Sequence, residues 1–222
     1  MGTTIELTAA DGHKLSAYLA EPKGKARGAL VVVQEIFGVN KHMKEVTDGF
    51  AADGYLSICP AFFDRKERNF DHGYTQADID AGRTIAMSLN WDNTMADVQA
   101  AIDRVKGAGK VGIVGYCWGG TTSWVAASRA KGLSCSAPFY GGGIGNMTDE
   151  KPKVPVMMHW GETDHAIPME TVRKVEAAHP TQKSFVYPAG HGFTCDHRGS
   201  YHAESAKLSR SRSIEFFQKN IG

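Results

Sequence analysis

Short apolar runs alternate along this chain with longer stretches of helical spacing. Residues 4–7 and 15–19 flank Asp11-Gly12, a hairpin signal, and predict an antiparallel pair at a sheet edge. Residues 29–34 are almost uninterruptedly apolar, as a strand buried on both faces requires. Met43, Val46 and Phe50 then recur at helical spacing up to Gly54, and residues 55–59 read as the next strand, ended by Pro60. Residues 60–74 read as a polar, irregular loop near a site. Residues 77–106 carry helical periodicity, most regular from Met95 to Val105, and stop at Gly107. Further strands are expected over 111–114, 135–140, 154–160 and 185–187. Helices are expected over 121–130, from Pro168 as first helical residue to about Ala178, and over 205–218.

Strands separated by helical segments predict an α/β fold, a mostly parallel central sheet with helices on both faces. No repeat, low-complexity stretch or long linker interrupts the 222 residues, so 1–222 reads as a single domain. In such sheets a site forms beyond the carboxyl ends of the strands. The chemistry-bearing residues are therefore sought there.

The most specific sequence is Gly115-Tyr116-Cys117-Trp118-Gly119-Gly120, directly after the run Val111–Val114. It has the form of a nucleophile elbow, G-x-S-x-G, with cysteine in place of serine. The elbow turns sharply from strand to helix and presents one side chain above the sheet. Asp164, in Gly161-Glu162-Thr163-Asp164, and His191, in Gly190-His191-Gly192, follow two later strands. The order nucleophile, acid, histidine is that of α/β-hydrolases. A free thiol titrates near about 8.5, so it needs a neighbouring imidazole or a helix N-terminus to hold it as thiolate. His191 is the expected base, and Asp164 the group that sets its tautomer. The Trp118 N–H and a second N–H after the strand 29–34, at Ile36, are the expected oxyanion donors. Phe37 beside it is a candidate for contact with substrate. Glu162 and His165 are nearby alternatives to Asp164 and His191, and Asp164 itself could instead cap the helix that follows. The Phe62-Phe63 pair and Trp118 suit core or pocket wall.

Composition narrows the setting. The net charge is +1 and no basic stripe occurs, so neither nucleic acid nor an anionic membrane is expected as a partner. Four cysteines without a C-x-x-C spacing argue against a disulfide framework or a zinc knuckle, and predict a reducing, cytoplasmic setting. No signal peptide and no apolar run of membrane length is seen. No cofactor or metal is expected. The chain is expected to act as a monomer or homodimer on a small-molecule substrate.

These residues together resemble the dienelactone hydrolase (carboxymethylenebutenolidase) family, of α/β-hydrolase fold. The resemblance is carried by Gln34-Glu35-Ile36-Phe37-Gly38-Val39-Asn40, by the elbow, by Gly161-Glu162-Thr163-Asp164-His165 and by Gly190-His191-Gly192-Phe193. It implies a Cys117, Asp164, His191 triad. It also implies that Glu35 pairs with the resting thiol and accepts its proton when substrate arrives. The implied reaction opens the lactone ring of dienelactone to maleylacetate without metal or cofactor. Two arginines that hold the substrate carboxylate are also implied. Cys195 stands where one of them is expected, with Arg198 three residues on, and Arg83 is the candidate for the other.

A catalytically silent binding protein on this fold is one rival to a lactone hydrolase, and two other readings stand beside it. One is a broad esterase or thioesterase without a carboxylate clamp. The other is a thiol redox protein in which Cys135 or Cys195 resolves an oxidised Cys117.

Overall fold

The computed structural model describes residues 1–222. Eight strands form one sheet: β1 (Thr3–Thr8), β2 (Lys14–Ala20), β3 (Gly28–Val33), β4 (Tyr55–Pro60), β5 (Val111–Tyr116), β6 (Leu133–Phe139), β7 (Met157–Gly161) and β8 (Lys183–Tyr187). Their spatial order is β1-β2-β4-β3-β5-β6-β7-β8. The β1–β2 hairpin is antiparallel at the edge, β2 pairs antiparallel with β4, and every later pairing is parallel. The helices are α1 (Lys41–Ala52), α2 (Gln76–Ser88), α3 (Trp91–Val105), α4 (Trp118–Arg129), α5 (Met169–Ala178) and α6 (Ala203–Ile221).

Alternation along β3 shows why a continuous apolar run was required. Leu30 and Val32 face the core shared with α1 and α6, while Ala29, Val31 and Val33 face the core shared with α3. Each such fully buried Val or Leu is worth about 1.5–3 kcal/mol relative to exposure. The sheet is thereby covered on both faces, which places the open space at the strand ends.

Three boundaries and one segment differ from the sequence expectation, each for a local reason. The helical stretch 77–106 is two helices. Leu89 is extended, and Asn90 caps α3 by accepting from the Asn93 N–H at 2.8 Å. Strand β7 begins at Met157 and not at Val154, because Pro155 has no N–H and the Val156 N–H donates to Gln182 Oε1 at 2.8 Å. Pro168 is the N-cap of α5, one residue before the first helical position. Finally, residues 60–74 are well packed. Phe62, Phe63 and Phe70 are buried, and Phe62–Arg65 forms a 3-10 turn.

Arg65 anchors that segment. Its Nε and Nη2 each donate to one oxygen of Asp97 at 2.7 Å, and Nη1 donates to Asp11 at 2.7 Å. The Asp97 side chain is fully buried, so the pair is desolvated as well as bidentate.

All four cysteines are free thiols. Burial pushes Cys59 and Cys135 up to about 12, which leaves neither as a ready nucleophile.

Candidate active site

Cys117 occupies the turn between β5 and α4 with φ 58° and ψ −116°. Positive φ is strained for a residue with a Cβ. The strain is held by backbone: the Cys117 N–H donates to Phe139 O at 3.1 Å, and its carbonyl accepts from Gly120 and Thr121. Two glycines make the turn possible. A Cβ on Gly115 would lie 1.9 Å from Gly119 O, and one on Gly119 would lie 2.5 Å from the carbonyl oxygens of Val33 and Gln34. Cys117 thus stands at the amino end of α4, where the helix dipole favours an anion.

Asp164 lies after β7 and His191 after β8. The Glu162 N–H donates to Tyr187 O, and the Thr163 N–H to Ala189 O, tying the two turns together. Across them, His191 Nδ1 lies 2.7 Å from Asp164 Oδ2. The other Asp164 oxygen accepts from the Ala166 N–H at 2.8 Å, and the side chain is fully buried. A buried carboxylate in this position makes Nδ1 the protonated nitrogen and turns Nε2 outward. Burial opposes a charge on His191, but the Cys117 thiolate and the Asp164 carboxylate outweigh it, and its pKa rises to about 10. Tyr140 packs on the ring at 5.1 Å between centroids, and its hydroxyl shares a 2.6 Å hydrogen bond with Thr194.

The sequence-derived residues divide as follows. Cys117, His191, Ile36, Phe37, Trp118, Arg83 and Arg198 line one open cavity of about 930 Å³. Asp164 lies behind its wall and is buried. Trp118, as the first residue of α4, has an N–H with no intrahelical acceptor. Its ring packs edge-on against Phe62 and Phe63, so it is wall and core at once. His165 also borders the cavity, but Asp164 holds its hydrogen bond to His191 and not to His165.

Glu35 corrects an expectation. It is 1% exposed, and its hydrogen-bond partner is Arg198, with Nη1 3.3 Å from Oε1. The resemblance implied the thiol as that partner; Glu35 Oε2 has no hydrogen-bond partner. Arg198 is also held between rings, 5.3 Å from the Phe37 centroid and 5.7 Å from Tyr74. Its guanidinium is thus already paired with Glu35 while it still borders the cavity. Arg83 projects from α2, exposed at the cavity. Tyr74 and Tyr140 carried no local signal, because their partners lie far away along the chain. Gly192 was in view for its neighbour, yet its own role is distinct: a Cβ there would strike Arg198 Nη1 at 2.4 Å.

A mostly parallel eight-stranded sheet with a strained nucleophile turn at its carboxyl edge defines an α/β-hydrolase. The chain belongs to the dienelactone hydrolase family, whose model matches residues 15–221. It is accordingly an enzyme that hydrolyses carboxylic esters or lactones. It is 32% identical over 241 residues to a carboxymethylenebutenolidase-type protein of Synechocystis sp., covering 99% of this chain and 97% of that one. A carboxymethylenebutenolidase-type protein of Escherichia coli is 33% identical over 237 residues, with 95% and 84% covered. Among solved structures, a dienelactone hydrolase-type protein of Klebsiella pneumoniae superposes with TM-score 0.83 at 26% identity, covering 98% of each chain. A dienelactone hydrolase-like promiscuous phosphotriesterase from metagenomic libraries shares the fold, with TM-score 0.79 at 22% identity, covering 100% and 99%. No helix is long and apolar enough to cross a membrane.

Proposed function

We propose that residues 1–222 form one catalytic domain that opens lactones or cleaves small carboxylic esters through Cys117, His191 and Asp164. The reading rests above all on the 2.7 Å contact from His191 to buried Asp164, beside the cavity that Cys117 and His191 line together. Attack requires Cys117 as the thiolate, with protonated His191 beside it. The thiolate attacks the carbonyl carbon, and the oxyanion is received by the N–H groups of Ile36 and Trp118. Collapse of the tetrahedral species expels the alcohol oxygen, which takes the proton from His191. In a lactone this alcohol stays tethered to the acyl group. Neutral His191 then takes a proton from water, whose oxygen attacks the thioester and regenerates the thiol pair.

In this reading Glu35 holds Arg198 through Oε1. That pairing favours the second reading, a broad esterase, since Arg83 is the arginine at the cavity without a carboxylate partner. The apolar side chains of Ile36, Leu89, Trp91, Trp118 and Met147 around the cavity fit an apolar acyl or alcohol group. A free thiol nucleophile fits a reducing, cytoplasmic compartment.

The test is a panel of lactones and p-nitrophenyl esters with wild type and Cys117→Ala. Turnover is expected to disappear in the variant for every substrate. Hydrolysis that survives in Cys117→Ala would overturn the assignment of the nucleophile.

A further inference from the structure

Behind the catalytic cavity, three buried side chains from three different segments converge. Glu35 follows β3, His42 lies in the first turn of α1, and Cys195 lies in the loop after β8. One ligand atom of each lies within 4.8 Å of those of the other two. They are 1%, 4% and 0% exposed. Two of the atoms available there are orphans: Glu35 Oε2 and His42 Nε2 are buried without any hydrogen-bond partner. Leaving either one desolvated and unpaired is costly, more so where the group is charged. An orphan carboxylate oxygen and an orphan imidazole nitrogen thus lie beside a buried thiol, which together offer three lone-pair donors.

We propose that Glu35, His42 and Cys195 bind a single Zn²⁺ ion that clips the oxyanion loop, α1 and the loop after β8 together. The mixed sulfur, nitrogen and oxygen set suits zinc, which takes all three donors, with water completing four positions. The surroundings are those of a metal-ligating histidine. His42 Nδ1 lies 3.4 Å from Asp196 Oδ1, and a carboxylate on that nitrogen leaves Nε2 free to ligate. Tyr74 Oη lies 3.3 Å from Cys195 Sγ and can donate to it once it is a thiolate. Arg198 occupies only Oε1 of Glu35, so Oε2 remains for the metal. On binding, the Zn–S bond forms as the Cys195 S–H proton passes to bulk buffer, and the ion sheds waters for the other two donors. No step of hydrolysis uses this ion, and the proposal is independent of the proposed catalytic mechanism.

A second group competes for the same histidine. His42, Glu45, Asp196 and His197 also come within 4.8 Å of one another. There His197 Nε2 is already paired with Glu45 Oε2 at 2.6 Å, so that set has fewer free donors.

The experiment uses the full chain carrying Cys117→Ala, which removes the nucleophile as a competing thiol. Chelator-treated protein is titrated with Zn²⁺ by calorimetry, and with Co²⁺ by absorption. One ion per chain, a thiolate-to-cobalt charge-transfer band and a rise in melting temperature with Zn²⁺ are expected. The added Cys195→Ser should abolish the band and the thermal shift, and His42→Gln should weaken binding by about 10-fold or more. Glu45→Gln and His197→Gln should leave all three signals in place. The absence of stoichiometric binding overturns the proposal. So does binding that survives Cys195→Ser, or binding that is lost in Glu45→Gln and His197→Gln. If His42→Gln does not fold, the Cys195→Ser comparison decides alone.

Discussion

His191 Nδ1 sits 2.7 Å from an Asp164 carboxylate that no water reaches. Removing the charge while keeping the shape tests what that contact does. In Asp164→Asn the amide can present N–H to Nδ1, which favours the tautomer with the proton on the wrong nitrogen. We expect kcat to fall by about 10³–10⁴-fold with little change in melting temperature, measured with a p-nitrophenyl ester. A drop of less than about tenfold would place the orienting group elsewhere.

The pH profile follows from the imidazole. Its pKa in the folded chain is about 10, above the roughly 6.5 of an unfolded chain. Its protonated form therefore stabilises the fold fully below about pH 6.5, and that contribution is lost as the pH rises through about 10. The leaving alcohol needs the same proton, so kcat/KM should decline on the alkaline side near pH 10. In Cys117→Ala the thiolate is gone, and the His191 ring should titrate at lower pH. Ring-proton NMR of both proteins reads this directly.

Arg65 and Asp97 make a stability prediction far from the chemistry. Arg65→Ala strands a fully buried carboxylate, and should lower the unfolding free energy by about 3–5 kcal/mol in urea titration. The double variant Arg65→Met with Asp97→Leu should recover much of the loss, because no charge is left to desolvate.

Arg83 and Arg198 should separate in function. Arg83 is exposed at the cavity, whereas Arg198 is tied to Glu35 and two rings. Arg83→Ala should reduce the preference for anionic over neutral esters by about 10-fold, the worth of one charge-assisted hydrogen bond. Arg198→Ala should depress all substrates alike and lower the melting temperature, since Glu35 loses its partner. An unchanged anion preference in Arg83→Ala would remove it from substrate binding.

The sheet and the elbow were readable because they are written locally. β3 needs apolar residues at every position, and the turn at Cys117 needs Gly115 and Gly119 within a few residues. The order Cys117, Asp164, His191 was readable because each follows a strand. Other features depend on residues that are distant along the chain. Arg65 meets Asp97 across 32 positions, and Glu35 meets Arg198 across 163. Neither pairing has a local signal. The break at Leu89-Asn90 was hidden because helical periodicity resumes immediately after it. The late start of β7 depends on Gln182, which borrows the Val156 N–H from another segment.

Gly119 carries a wider consequence. With no side chain between them, the backbone of α4 rests directly on the carbonyls that end β3, and β3 and β5 are hydrogen-bonded neighbours. The two N–H groups assigned to the oxyanion thus belong to a single welded floor that has almost no room to change. Diversity among enzymes built this way must then accumulate in the rim, on the outward face of α2 and in the loop after β8. New substrates can be acquired there without disturbing how the carbonyl is attacked.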